Sequence, residues 1–128
     1  MSQWDDLRMD SRISQVLDVQ SHDKKNNYGR PFLTPHQIAL RFKALFPHEF
    51  SILGRPIESE STAKQDSLVQ YIAQRLTKRI KDQIITDIEE CCLYQNNLHS
   101  LQYDSGEHII DSSPAQAHGL SLYRLRNH

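Results

Sequence analysis

Leu33-Thr34-Pro35-His36-Gln37-Ile38 decides the fold of this chain. Thr34 is a strong helix N-cap, Pro35 suits the first helical position, and Gln37 completes a Thr-x-x-Gln capping box. Leu33 and Ile38 occupy the two positions of a hydrophobic staple. These cues predict a helix from Pro35 to about Phe46, with Ile38, Ala39, Phe42, Leu45 and Phe46 on its apolar face and Pro47 as its stop.

Downstream, Phe50 to Lys64 reads as a loop with apolar anchors and a turn at Gly54-Arg55-Pro56. A second amphipathic helix follows from about Ser67 to Lys81, with an earlier start near Ala63 as an alternative. Leu68, Val69, Ile72, Ala73, Leu76 and Ile80 share one face. Asp66 is its expected N-cap, with Ser61 or Thr62 as alternatives. Ile84 to Leu93 is ambiguous between strand and helix, and the Glu89-Glu90 pair tilts it toward helix. From His99 the period changes. Leu101 and Tyr103 alternate, Asp104-Ser105-Gly106 marks a turn, Ile109-Ile110 supplies a return strand, and Leu120 to Arg126 reads as a last strand.

Upstream, Trp4 to about Gln20 carries Met9, Ile13, Val16 and Leu17 at helical spacing. Its apolar face is sparse, which predicts a lightly docked helix or an arm that packs on a second copy or a partner. A polar, turn-rich stretch from Ser21 to Arg30 separates it from the rest. The expected organisation is an arm and linker over residues 1–31 and one α+β domain over 32–128, helices first and then a small antiparallel hairpin or sheet.

Composition narrows the function classes. The 128 residues suit a single core, and 38% hydrophobic residues with a mean hydropathy of −0.64 imply polar loops around it. A formal net charge of −1 gives no global attraction to nucleic acid, so such a ligand needs a local basic patch. The N-terminus shows no signal-peptide pattern, and no apolar run approaches the roughly 18 residues of a membrane span. Cys91 and Cys92 are adjacent, which would strain a disulfide between them. A cytoplasmic protein is the expectation.

Catalytic patterns find little support. The seven histidines never fall at zinc-ligand spacing. Ser61-Thr62-Ala63-Lys64 matches a Ser-x-x-Lys pair without its companion motifs. Asp87, Glu89 and Glu90, and then Asp104, Glu107 and Asp111, read as solvated or turn-forming carboxylates. The four glycines are too scattered for a phosphate loop. No acid, base and nucleophile set can be named, and no cofactor is called for. A metal-dependent hydrolase or nuclease is the third-ranked reading.

The helix after Gly54 carries the strongest binding signal. From Ala63 to Asp82, Lys64, Arg75, Lys78, Arg79 and Lys81 stand against Asp66 and Asp82, a local net of +3. Gln70, Gln74, Arg75, Lys78 and Arg79 lie on its polar face, where Gln and Arg can read base edges and Lys and Arg neutralise phosphates. Lys24, Lys25 and Arg30, and then Arg124 and Arg126, are further basic candidates. The competing explanation is that cations near a helix C-terminus complement its dipole.

Taken in order, the Leu33–Ile38 entry, the second amphipathic helix and the Asp104-Ser105-Gly106 hairpin resemble a winged-helix domain over about residues 32–126. The entry itself is similar to the Leu-Thr-x-x-x-Ile opening of HARE-type winged helices. The resemblance implies a non-catalytic duplex DNA-binding module whose second helix enters the major groove, with Gln70, Gln74, Arg75, Lys78 and Arg79 as the recognition surface and the wing tip near Ser105. The alternative is a protein-interaction module or a homodimer formed through the N-terminal helix.

Overall fold

The computed structural model describes residues 2–20, 29–57, 67–94, 96–98, 101–106, 109–112 and 121–126. Five helices precede four strands: α1 (Gln3–Asp6), α2 (Met9–Val16), α3 (Pro35–Leu45), α4 (Pro47–Leu53), α5 (Leu68–Lys81), β1 (Ile88–Cys92), β2 (Leu101–Asp104), β3 (Ile109–Ser112) and β4 (Ser121–Leu125). This is an α+β protein with helices first, as the sequence predicts.

The capping box of α3 forms in full. The Gln37 N–H donates to Thr34 Oγ1 at 3.2 Å, and the Thr34 N–H donates to Gln37 Oε1 at 2.9 Å. Ile38, Ala39 and Phe42 then point into the core, while Leu45, expected on the same face, is 50% exposed. It sits in the last turn, just before the chain swings into the next helix.

Pro47 ends α3 and also opens α4 from the first-turn position. The expected loop from Phe50 therefore begins inside a helix. That helix closes at Gly54, whose φ of +62° gives the left-handed cap that glycine adopts without strain. Asp66, the expected cap of the next helix, lies outside the described residues, as do Ser61 and Thr62. Ser67 caps α5 instead, through a second capping box with Gln70.

Ile84 to Leu93 corrects toward strand. β1 pairs antiparallel with β4 from Ile88↔Leu125 to Cys92↔Ser121. The backbone groups of Leu33 exchange hydrogen bonds with Tyr123 at 2.8 and 2.9 Å, adding a single-residue bridge on the other edge of β4. Partners distant in sequence therefore decide the state of this segment, and its own composition does not. β2 and β3 form the expected hairpin, nested between β1 and β4 in sequence, with the Gly106 N–H donating to Asp104 Oδ1 at 2.8 Å in its turn.

The N-terminal segment is no loose arm. Arg8, at φ 53°, breaks it into α1 and α2, and this bend brings Trp4, Met9, Ile13, Val16 and Leu17 to full burial. They join Leu33, Ile38, Phe42, Leu68, Ile72, Leu76, Ile88 and Tyr123 in one core cluster. Each fully buried aliphatic or aromatic side chain here stabilises the fold by roughly 1.5–3 kcal/mol. The side chains on which a homodimer contact through this segment would rest are spent inside the protein.

Candidate nucleic-acid interface

Helix α5 places every recognition candidate. Leu68, Ile72 and Leu76 recur at one turn's spacing and bury one face against α3 and the sheet. Gln74, Lys78 and Lys81 are exposed on the opposite side, with Arg75 half-buried at the margin.

Of the five expected side chains, two are committed to the fold. The Ser67 N–H donates to Gln70 Oε1 at 3.1 Å while the Gln70 N–H donates to Ser67 Oγ, so Gln70 holds the helix start. Arg79 turns toward the N-terminal segment. Its Nη2 lies 3.0 Å from Asp10 Oδ2 and 3.2 Å from Asp5 Oδ1, with the side chain 18% exposed. Asp10 is itself oriented by Trp4, whose indole N–H donates to Oδ1 at 2.6 Å. Both residues therefore leave the expected recognition surface.

Gln74, Arg75 and Lys78 remain together on the outer face, and Lys81 extends their line. Arg75 and Arg55 both lie over the Tyr71 ring, at 5.4 and 4.0 Å from its centroid. Lys78 meets Asp82 at 3.3 Å across one turn, an exposed pair of small energetic weight. Gln74, Thr77, Lys78, Lys81 and Asp82 face Ser121 of β4 across an open groove of about 460 Å3. Thr77 and Ser121 escape a sequence reading: Thr77 carries no charge, and only the pairing of β4 with β1 brings Ser121 beside α5.

The secondary basic candidates are mostly balanced. Lys24 and Lys25 lie outside the described residues. Arg30 pairs with Asp18. Arg124 and Arg126 share Glu89, at 2.6 and 3.2 Å, and the Arg124 hydrogen bond holds the Glu89 carboxyl below its usual range.

The acidic groups are likewise engaged. Glu90 accepts from Thr77 Oγ1 at 2.8 Å, and Asp87 accepts from Ser14. Among the described residues no three His, Cys, Asp or Glu side chains gather as metal ligands. Ser61 and Lys64 lie outside the described residues, as does the side chain of Asp111. Cys91 and Cys92 are exposed and unbridged; burial first, then the neighbouring Cys92, pushes the Cys91 thiol up, away from the reactive thiolate.

No family model, no curated protein and no solved structure matches this chain. Among the described residues no helix is long and apolar enough to cross a membrane.

Proposed function

We propose that this chain is a non-catalytic binding module of winged-helix type that docks duplex nucleic acid on the outer face of α5. One observation carries the reading. α5 buries Leu68, Ile72 and Leu76 in the core and leaves Gln74, Lys78 and Lys81 in a line on the outer side with Arg75 at its margin, beside the sheet that follows it. The layout supports it as well: α3 and α5 pack together, Leu33 and β1 flank β4, and a β2–β3 hairpin follows the helix pair, with Tyr103 stacked on His36 of α3.

The test is fluorescence anisotropy of a labelled DNA duplex titrated with the full chain at rising salt. Arg75, Lys78 and Lys81 together predict a log–log salt slope of roughly −2 to −3. Replacing these three with Gln is expected to abolish binding and leave the protein folded, as checked by its thermal melt. Binding that survives the triple replacement sinks the reading.

A protein-interaction reading has its own observation. Val19, Phe32, Leu40 and Tyr103 line a second groove of about 500 Å3 between α3 and β2, more apolar than the first. Sedimentation equilibrium tests self-association there: a concentration-dependent mass that falls on Phe32→Asp favours this reading, and a constant monomer mass counts against it.

A further inference from the structure

We infer that the groove between α5 and β4 seats a phosphodiester strand of the bound duplex, gripped by Lys81 and Ser121 and weakened by Asp82. The inference rests on the nucleic-acid reading above and deepens it.

The groove is built into the fold. On one wall Gln74, Thr77, Lys78 and Lys81 follow one another at i, i+3, i+4 and i+7, a single line down α5. On the other, Ser121 is held opposite Cys92 by the antiparallel register of β4 and β1. Beneath them the fully buried Tyr123 locks β4 to α5: its hydroxyl lies 2.7 Å from Thr77 Oγ1 and 3.3 Å from the Ala73 carbonyl oxygen. The two walls cannot slide independently. Thr77 also donates to Glu90, so its hydroxyl serves the frame rather than the ligand.

Charge selects the occupant. Among the described residues that line the groove, Lys78 and Lys81 face one carboxylate, Asp82, a formal balance of one positive charge, while the Glu90 carboxylate is engaged by Thr77 just outside the lining. One phosphodiester, with a single negative charge, matches that balance. A phosphomonoester, at about −1.5 to −2, exceeds it, and the negative end of the helix dipole in this last turn opposes a dianion further. Lys81 supplies the charge, and Ser121, whose hydroxyl also meets Tyr123, forms the facing wall. Asp82 already engages Lys78 at 3.3 Å, so it competes with the phosphate for that lysine.

The experiment compares wild type, Lys81→Gln, Ser121→Glu, Asp82→Asn and Arg75→Gln by anisotropy of a labelled duplex over a salt series, each variant checked by thermal melting. Lys81→Gln is expected to weaken binding by roughly 3–10-fold and to reduce the salt slope by about 1. Ser121→Glu is expected to abolish binding. Asp82→Asn is expected to tighten binding by roughly 3–10-fold and to steepen the slope by up to about 1 as Lys78 is released. If Ser121→Glu lowers the melting temperature, the two exposed positions Lys81 and Asp82 decide alone. Weakening in Arg75→Gln with Lys81→Gln, Ser121→Glu and Asp82→Asn all like wild type overturns the groove assignment and leaves the nucleic-acid reading standing. A wild-type chain that fails to bind at low salt overturns both.

Discussion

Arg79 Nη2 lies 3.0 Å from Asp10 Oδ2, which ties α5 to the segment expected to be a lightly docked helix or an arm. The same guanidinium reaches Asp5, and Asp10 is anchored by the Trp4 indole. Arg79→Ala leaves two carboxylates facing each other at a half-covered seam. The expected cost is about 1–2 kcal/mol in urea unfolding, between the weight of an exposed ion pair and that of a charged hydrogen bond. Lys78→Ala, on the exposed side, is expected to stay within about 0.5 kcal/mol of wild type. Undiminished stability with lost DNA affinity in Arg79→Ala would return this residue to the recognition surface.

Trp4 is fully buried and meets the Tyr71 ring edge-on, with centroids 5.5 Å apart. Trp4→Ala opens a cavity in the core, and removal of an aromatic of this size costs about 3–5 kcal/mol. That is a large share of the stability of a small domain. Deletion of residues 1–20 removes Met9, Ile13, Val16 and Leu17 as well, and is expected to leave the remainder unfolded by circular dichroism. A folded remainder that merely stops self-associating would restore the dimerising arm.

What was legible in the sequence was local. The Thr34–Gln37 capping box and the turn at Asp104 and Gly106 depend on neighbours a few residues apart, and both appear as read. Gln70 was legible too, since Ser67-Leu68-Val69-Gln70 has the spacing of a capping box, but its place on the polar face drew the functional assignment instead. α4 was hidden because Pro47 serves two helices at once. β1 was hidden because its strand state comes from pairing with β4 far downstream. The N-terminal core face was hidden because the bend at Arg8 splits one apolar stripe across two short helices, breaking the period a helix should keep. The commitment of Arg79 has no local signature at all.

Tyr123 carries an alkaline prediction. Its buried phenol is pushed up to about 12, chiefly by burial, with the Thr77 hydrogen bond acting the other way. The neutral phenol is favoured in the fold, so its contribution is fully present below the unfolded value of about 10. It is lost as pH rises through about 12, on the order of 2–3 kcal/mol in all. Tyr123→Phe removes this dependence. The difference in melting temperature between wild type and Tyr123→Phe should shrink or reverse above pH 10, and a constant difference across that range would contradict the assignment.

His36 gives the acid counterpart. Its ring stacks on Tyr103 at 4.4 Å, and burial lowers its pKa below the usual imidazole value. The fold favours the neutral ring, so this stabilisation is present above about pH 6.5 and lost as pH falls through the lowered value. The Glu89 carboxylate, also lowered but from the carboxylate range, titrates in a more acidic window. Melting of wild type against His36→Phe is expected to diverge first below pH 6.5. Parallel curves down to the carboxylate range would show that the ring is solvated.

Gln83 is a place where a substitution should strengthen the protein. The Gln83 N–H donates to the Ile80 carbonyl oxygen and the Ile84 N–H to that of Arg79, at 3.1 and 2.9 Å, which closes α5 in a Schellman motif. That motif needs a left-handed residue, and Gln83 supplies it at φ 61°. For a residue with a Cβ this conformation costs roughly 1–2 kcal/mol, and glycine avoids it. Glycine gives part of that back through its larger freedom in the unfolded chain. The exposed side chain of Gln83 leaves no packing to lose. Gln83→Gly is therefore expected to stabilise by about 0.5–1 kcal/mol in urea unfolding and to leave duplex affinity unchanged. A loss of stability would mean that α5 ends differently in solution, and with it the placement of Lys81 and Asp82 at the groove.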